Sequence, residues 1–136
     1  MTIAFTARTV VPAPPETVWA TLTDWARAPE WMPEVASMRA DGPLQVGTVL
    51  HFTAQGAGRT SVVSALEAGR AITLTSERPG VRADYRYELV PGGAGTSIAL
   101  VADVATSGVM RMLGPVIRSA VAKADNIQLE RLAALF

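Results

Sequence analysis

The 136-residue chain has no cysteine and a single histidine, and its twelve lysines and arginines cancel its twelve aspartates and glutamates. Without thiols there can be no disulfide, thiolate nucleophile or zinc–sulfur centre. The charge balance leaves no basic stripe to follow a phosphate backbone, so nucleic acid is not the expected partner. No apolar run approaches the roughly 20 residues that span a bilayer, which argues against stable membrane insertion. The opening MTIAFTARTV lacks the basic-then-apolar order of a secretory leader, so the expected location is cytoplasmic.

What is present is a large apolar fraction, 49% of residues, against 18% charged. That composition and length suit one globular domain over residues 1–136 with a generous core. Ile3 to Val11 is rich in β-branched residues and alternates, which predicts a strand. The following APPE stops it, and Pro15 and Glu16 suit the first turn of a short helix carrying Val18, Trp19 and Leu22. The stretch WARAPEWMP, Trp25 to Pro33, predicts a second short helical turn.

From Val35 the hydrophobic period becomes two. VASMRA, TVLHFTA, RTSVVSALE, AITLTSE, RADYRYELV and TSIALVADV are six strand candidates, separated by turn clusters such as QGAG, RPG and PGGAG. Such close spacing predicts an antiparallel meander. Ser107 to Phe136 reads as a long helix with Met110, Leu113, Ile117, Val121, Ala124 and Leu135 on one face, kinked at Pro115. The expected class is α+β: a curved seven-stranded antiparallel sheet wrapped around that helix, with two short helices between strands 1 and 2.

The run VPAPPETVWATLTDWARAPEWMPEV, then GPLQVGTVLHF, then the long final helix resembles the polyketide cyclase/dehydrase branch of the START-like (SRPBCC) helix-grip superfamily. The resemblance covers essentially the whole chain. It implies a cavity between the sheet and the last helix, with loops at one end as its mouth. Members of this superfamily include aromatase/cyclases and lipid carriers, so the implied activity is either binding or chemistry on a poly-ketone chain.

Strand alternation assigns faces. Four charges in register, Arg82, Asp84, Arg86 and Glu88, put Tyr85 and Tyr87 inside. The same logic places Leu50 and Phe52 inside with His51 outside, and Ile72, Leu74 and Ser76 inside. Setting Arg59 and Glu67 in water turns Thr60, Val62, Ser64 and Leu66 inward. Gln128 falls on the apolar stripe of the helix, where it can bond to a backbone carbonyl or a tyrosine hydroxyl, fray outward, or touch a ligand. Trp25, Trp31 and Met32, on the connection between helix and sheet, plug one end of the sheet or line a mouth, with Met110, Met112 and Leu113 facing them.

The candidate ligand-binding set is therefore Trp25, Trp31, Met32, Leu50, Phe52, Thr60, Ser64, Leu74, Ser76, Tyr85, Tyr87, Met110, Leu113, Ile117 and Gln128. No acid was placed among them: Glu77, Asp84, Glu88 and Asp103 fall on the outer face, and Asp24, Glu30 and Glu34 near the mouth. No residues have metal-ligand spacing, and no serine has a histidine to activate it, so neither metal nor cofactor is expected. The leading expectation is binding or transport of a small hydrophobic molecule by a monomer or homodimer. A polyketide cyclase, aromatase or dehydratase using Tyr85, Tyr87 and Gln128 is the first alternative and requires a charged group inside the cavity. A protein-interaction module is the second, and would show an exposed apolar patch at the mouth.

Overall fold

Alternating apolar positions are compatible with only one kind of layer, and the chain builds it. A computed structural model describes residues 2–93 and 95–136. In chain order the strands are β1 (Ile3–Val11), β2 (Val35–Ala40), β3 (Val49–Ala54), β4 (Ala57–Glu67), β5 (Ala71–Arg78), β6 (Val81–Gly92) and β7 (Gly95–Thr106). They form one antiparallel sheet in the order β1-β7-β6-β5-β4-β3-β2, so β2 to β7 are a simple meander and β1 closes on β7. Between β1 and β2 lie helix α1 (Pro15–Leu22) and a 3-10 turn (Trp25–Glu30). Pro15 occupies the first turn of α1, where its missing N–H has no carbonyl to lose.

After β7 come a second 3-10 turn (Gly108–Leu113), helix α2 (Gly114–Asp125) and helix α3 (Gln128–Ala133). These form the long C-terminal helical stretch, and it packs chiefly over β1 and β7. Two local expectations change. Pro115 begins α2 rather than bending a helix already under way. The stretch is also interrupted at 126–127, so Leu129 and Leu132 belong to a separate short helix, α3.

The core is the concave side of the sheet against these helices. Leu50, Val63, Ile72, Tyr87, Leu89, Ile98, Leu100 and Val104 meet Val18, Leu22, Leu129 and Leu132, all at most 2% exposed. Strand β4 corrects the expected faces. A register irregularity between Val63 and Ala65 inserts an extra residue, which switches the parity of everything before it. Ser61 and Val63 are buried, and Leu66 packs on the core from beyond the irregularity. Thr60, Val62 and Ser64 are exposed on the outer face. Arg59 stands opposite Phe52 and so shares the concave side, half-buried. Arg59 and Glu67 cannot both point outward once the strand is bulged, because eight-residue spacing shares a face only in an unbroken strand.

Candidate functional site

The polar groups of the concave face converge where β6 passes under the junction of α2 and α3. Alternation turns Tyr85 and Tyr87 to the same side of β6, two residues apart. Asp125 ends α2 and Gln128 opens α3, so the interruption at 126–127 sets both above the tyrosines. The Tyr85 hydroxyl donates to Asp125 Oδ2. The Tyr87 hydroxyl donates to Gln128 Oε1 at 2.5 Å, and Gln128 Nε2 donates to Asp125 Oδ1 at 3.2 Å. The result is a continuous relay, Tyr85–Asp125–Gln128–Tyr87.

Rings hold this relay from both sides. Trp31 meets Tyr87 edge to face, with centroids 5.8 Å apart at 88°. Phe5 meets Tyr85 in the same manner, at 6.4 Å and 77°. Trp31 is 1% exposed, and among the described residues its buried indole nitrogen meets no hydrogen-bond acceptor. A buried donor left unpaired costs roughly 1–3 kcal/mol, so this ring is retained at some expense to stability.

Electrostatics separate the members of the relay. Burial pushes the Asp125 carboxyl above its ordinary value, and the negative charge of Glu34 adds to that shift. The hydrogen bonds from Tyr85 and Gln128 oppose it without cancelling it. Burial, together with the charge of Asp125, raises both tyrosines, Tyr87 most deeply buried, so both hydroxyls keep their protons and act as donors. His51 lies on the opposite, convex side, as expected, and is held by Asp41 at 2.5 Å.

The sequence-predicted residues divide. Trp31, Met32, Leu50, Leu74, Tyr87 and Gln128 are buried in or beside this face, while Trp25, Phe52, Ser76, Tyr85 and Ile117 are half-buried. Thr60 and Ser64 belong to the convex face; Ser64 Oγ accepts from the Thr75 hydroxyl at 2.8 Å, beside Asp84. Met110 packs over the β5–β6 turn, where a Cβ on Gly80 would come within 2.5 Å of its Cγ. Leu113 is 47% exposed. Neither joins the tryptophans, because Trp31 packs beside Tyr87, whereas Met110 caps the end where β6 begins.

Asp125 was missing from the sequence-predicted set. It is four residues after Val121 and three before Gln128, both on the predicted stripe, so helical spacing alone marked it as inward. Two clefts open at the free end of β2–β5. The larger, about 580 Å³, runs over the convex side between Ser37, Arg39, His51, Thr53 and Thr60. A smaller one, about 270 Å³, wraps the ends of β4 and β5 past Phe52, Arg59, Ser76 and Arg78.

A family model described as polyketide cyclase/dehydrase and lipid transport matches residues 2–136. The chain belongs to this family. Solved structures agree with the fold of a polyketide cyclase/dehydrase protein. The aromatase/cyclase ZhuI from a Streptomyces species superposes with a TM-score of 0.78 at 16% identity, covering 96% of this chain and 91% of that one. A START superfamily protein from Mycobacterium smegmatis superposes at 0.70 with 19% identity, covering 96% and 91% respectively. At such identities the likeness is one of fold. No curated protein matches the sequence. Among the described residues no helix is long and apolar enough to cross a membrane.

Proposed function

We propose that this polyketide cyclase/dehydrase family protein binds a small hydrophobic molecule on the concave side of its sheet, under α2 and α3, with Tyr85 and Asp125 as the polar contact. One observation carries this reading: an aspartate and two tyrosines are gathered inside an otherwise apolar face. Well-packed apolar residues in place of a buried charged network are usually neutral or stabilising, so the relay has no advantage for folding alone. It does have one for orienting a ligand, since a few placed polar groups in an apolar pocket set the direction of what binds. Neither of the two clefts described above is lined by Tyr85, Tyr87, Asp125 or Gln128, so binding at the relay requires α2 and α3 to part from the sheet.

Asp125 also supports a second reading, an aromatase, cyclase or dehydratase. That reading needs a charged group inside, and a carboxyl raised above its ordinary value by burial is the group present that could move a proton on or off a carbon beside a ketone. The titrating group would be Asp125, since the raised tyrosines are poor bases.

The test is solvent extraction of freshly purified protein followed by mass spectrometry against a mock-purified blank, alongside titration with an apolar fluorescent probe. A stoichiometric bound compound, or saturable probe binding abolished by Tyr85→Trp, supports the binding reading. Protein that extracts empty and takes up no probe refutes it. Turnover of a poly-ketone that Asp125→Asn abolishes while leaving probe binding intact establishes the enzyme.

A further inference from the structure

The hydrogens of the relay converge on Asp125 from both ends, and that convergence limits what can bind. An ionised carboxylate only accepts, so Asp125 takes the Tyr85 hydroxyl hydrogen and one amide hydrogen of Gln128. With its amide nitrogen turned to Asp125, Gln128 presents its oxygen to Tyr87, which commits the second phenolic hydrogen. Tyr87 and Gln128, 1% and 4% exposed, sit behind the other two. The half-buried members, Tyr85 and Asp125, are the ones an occupant reaches, and each has only lone pairs left to offer. Glu34, whose charge acts on Asp125, is acceptor-only as well when ionised. Among the described residues no cation pairs with Asp125; Arg59, on the same concave side, stands at the far end of β4 opposite Phe52.

Resting on the binding reading above, we infer that the site selects an apolar molecule carrying a hydrogen-bond donor, a hydroxyl or an amine, and turns away the corresponding carboxylates and ethers. A carboxylate brought to Tyr85 meets the charge of Asp125 across a poorly solvated gap and has no hydrogen to share. An ether meets lone pairs with lone pairs. A phenol or ammonium completes the relay, donating to Asp125 or to the Tyr85 oxygen without breaking a bond already made. Hydrogen bonds to a charged acceptor are the stronger class, so the discrimination is large.

The experiment compares one skeleton with four head groups: 2-naphthol, 2-methoxynaphthalene, 2-naphthoate and 2-naphthylmethylammonium, titrated at pH 8 by calorimetry. The naphthol and the ammonium are expected to bind about tenfold or more tighter than the ether, with naphthoate weakest. Asp125→Asn, which removes the charge and adds a donor, narrows the naphthol-to-ether ratio and brings naphthoate to within a few-fold of naphthol. If that variant does not fold, Tyr85→Phe tests the same point, because it frees one Asp125 lone pair and leaves the preference for donors in place. Equal binding of all four compounds overturns the donor inference and leaves the hydrophobic site standing. Binding by none of the four overturns both.

Discussion

The two ends of the C-terminal helical stretch make opposite use of similar residues. At the α3 end Leu129 and Leu132 are 1% and 0% exposed, and Gln128 is buried with them. At the other end Val109 and Met112 are 87% and 88% exposed, with Val116 at 66%. The positions 109, 112, 113 and 116 follow helical spacing, so they read as one apolar face in either setting. What differs is the surface beneath them: α3 lies over β1 and β7, whereas the 3-10 turn at Gly108–Leu113 projects past the strand ends above the β5–β6 hairpin. Helical spacing shows which residues share a face, and only the sheet decides whether that face is covered. The exposed end is also the feature that a protein-interaction reading requires, whereas the buried end holds the polar relay.

That contrast can be tested most severely at the buried end. Leu132→Ala removes a fully buried side chain from the α3 contact and is expected to cost about 2–5 kcal/mol in urea unfolding. A loss below about 1 kcal/mol would show that α3 is not anchored on the sheet. Tyr87→Phe comes next. It leaves Gln128 Oε1 buried without its 2.5 Å donor, a loss of about 1–3 kcal/mol, and it leaves Tyr85–Asp125 in place. Probe binding by this variant therefore separates the structural half of the relay from the half that faces the ligand.

Asp125 makes a pH prediction whose sign follows from its environment. Its carboxyl is raised above the ordinary 3.8, so its contribution to stability is fully present below that value and is lost as pH rises through the raised one. Asp125→Asn has no such loss. The stability difference between variant and wild type should therefore move in favour of the variant from acid toward neutral pH, measured by thermal melts across that range. A difference that stays flat would mean the carboxyl is not buried as described.

Much of this was legible beforehand, for identifiable reasons. β6 announces its faces because four charges in register leave the tyrosines only one side. β7 follows the alternation too, with Ile98, Leu100, Ala102 and Val104 all at 0% exposure, but apolar Ala99 and Val101 make its faces the least marked in the sequence. β4 defeated the same method because an irregularity changes parity without changing composition, so Thr60 and Ser64 were turned the wrong way. The helical stripe holds only in part: Leu113 is 47% exposed, whereas Leu129 and Leu132, buried beyond the interruption, are missing from the predicted face. Asp125 was hidden differently: its position was readable from spacing, but an acid on an apolar stripe is assigned to solvent unless its partners, here a tyrosine and a glutamine, are known to be waiting.

The smallest expected effect sits at the exposed end and bears directly on the comparison. Met112→Ser with Val109→Ser replaces two side chains that are almost wholly in water, so urea stability should change by about 0.5 kcal/mol or less. A substantially larger loss would mean that this turn is packed in solution, closed over the strand ends, and the two ends of the stretch would then differ in degree only. An unchanged stability with slower uptake of the apolar probe would place these side chains on the entry route. Gly80→Ala sharpens the same point. Gly80 has φ +77°, and an added Cβ would meet Met110 Cγ at 2.5 Å, so the substitution strains the hairpin and dislodges Met110 together. If the turn at Gly108–Leu113 is held mainly by that one methionine, Gly80→Ala should speed probe entry while the cost of Leu132→Ala in urea unfolding stays unchanged.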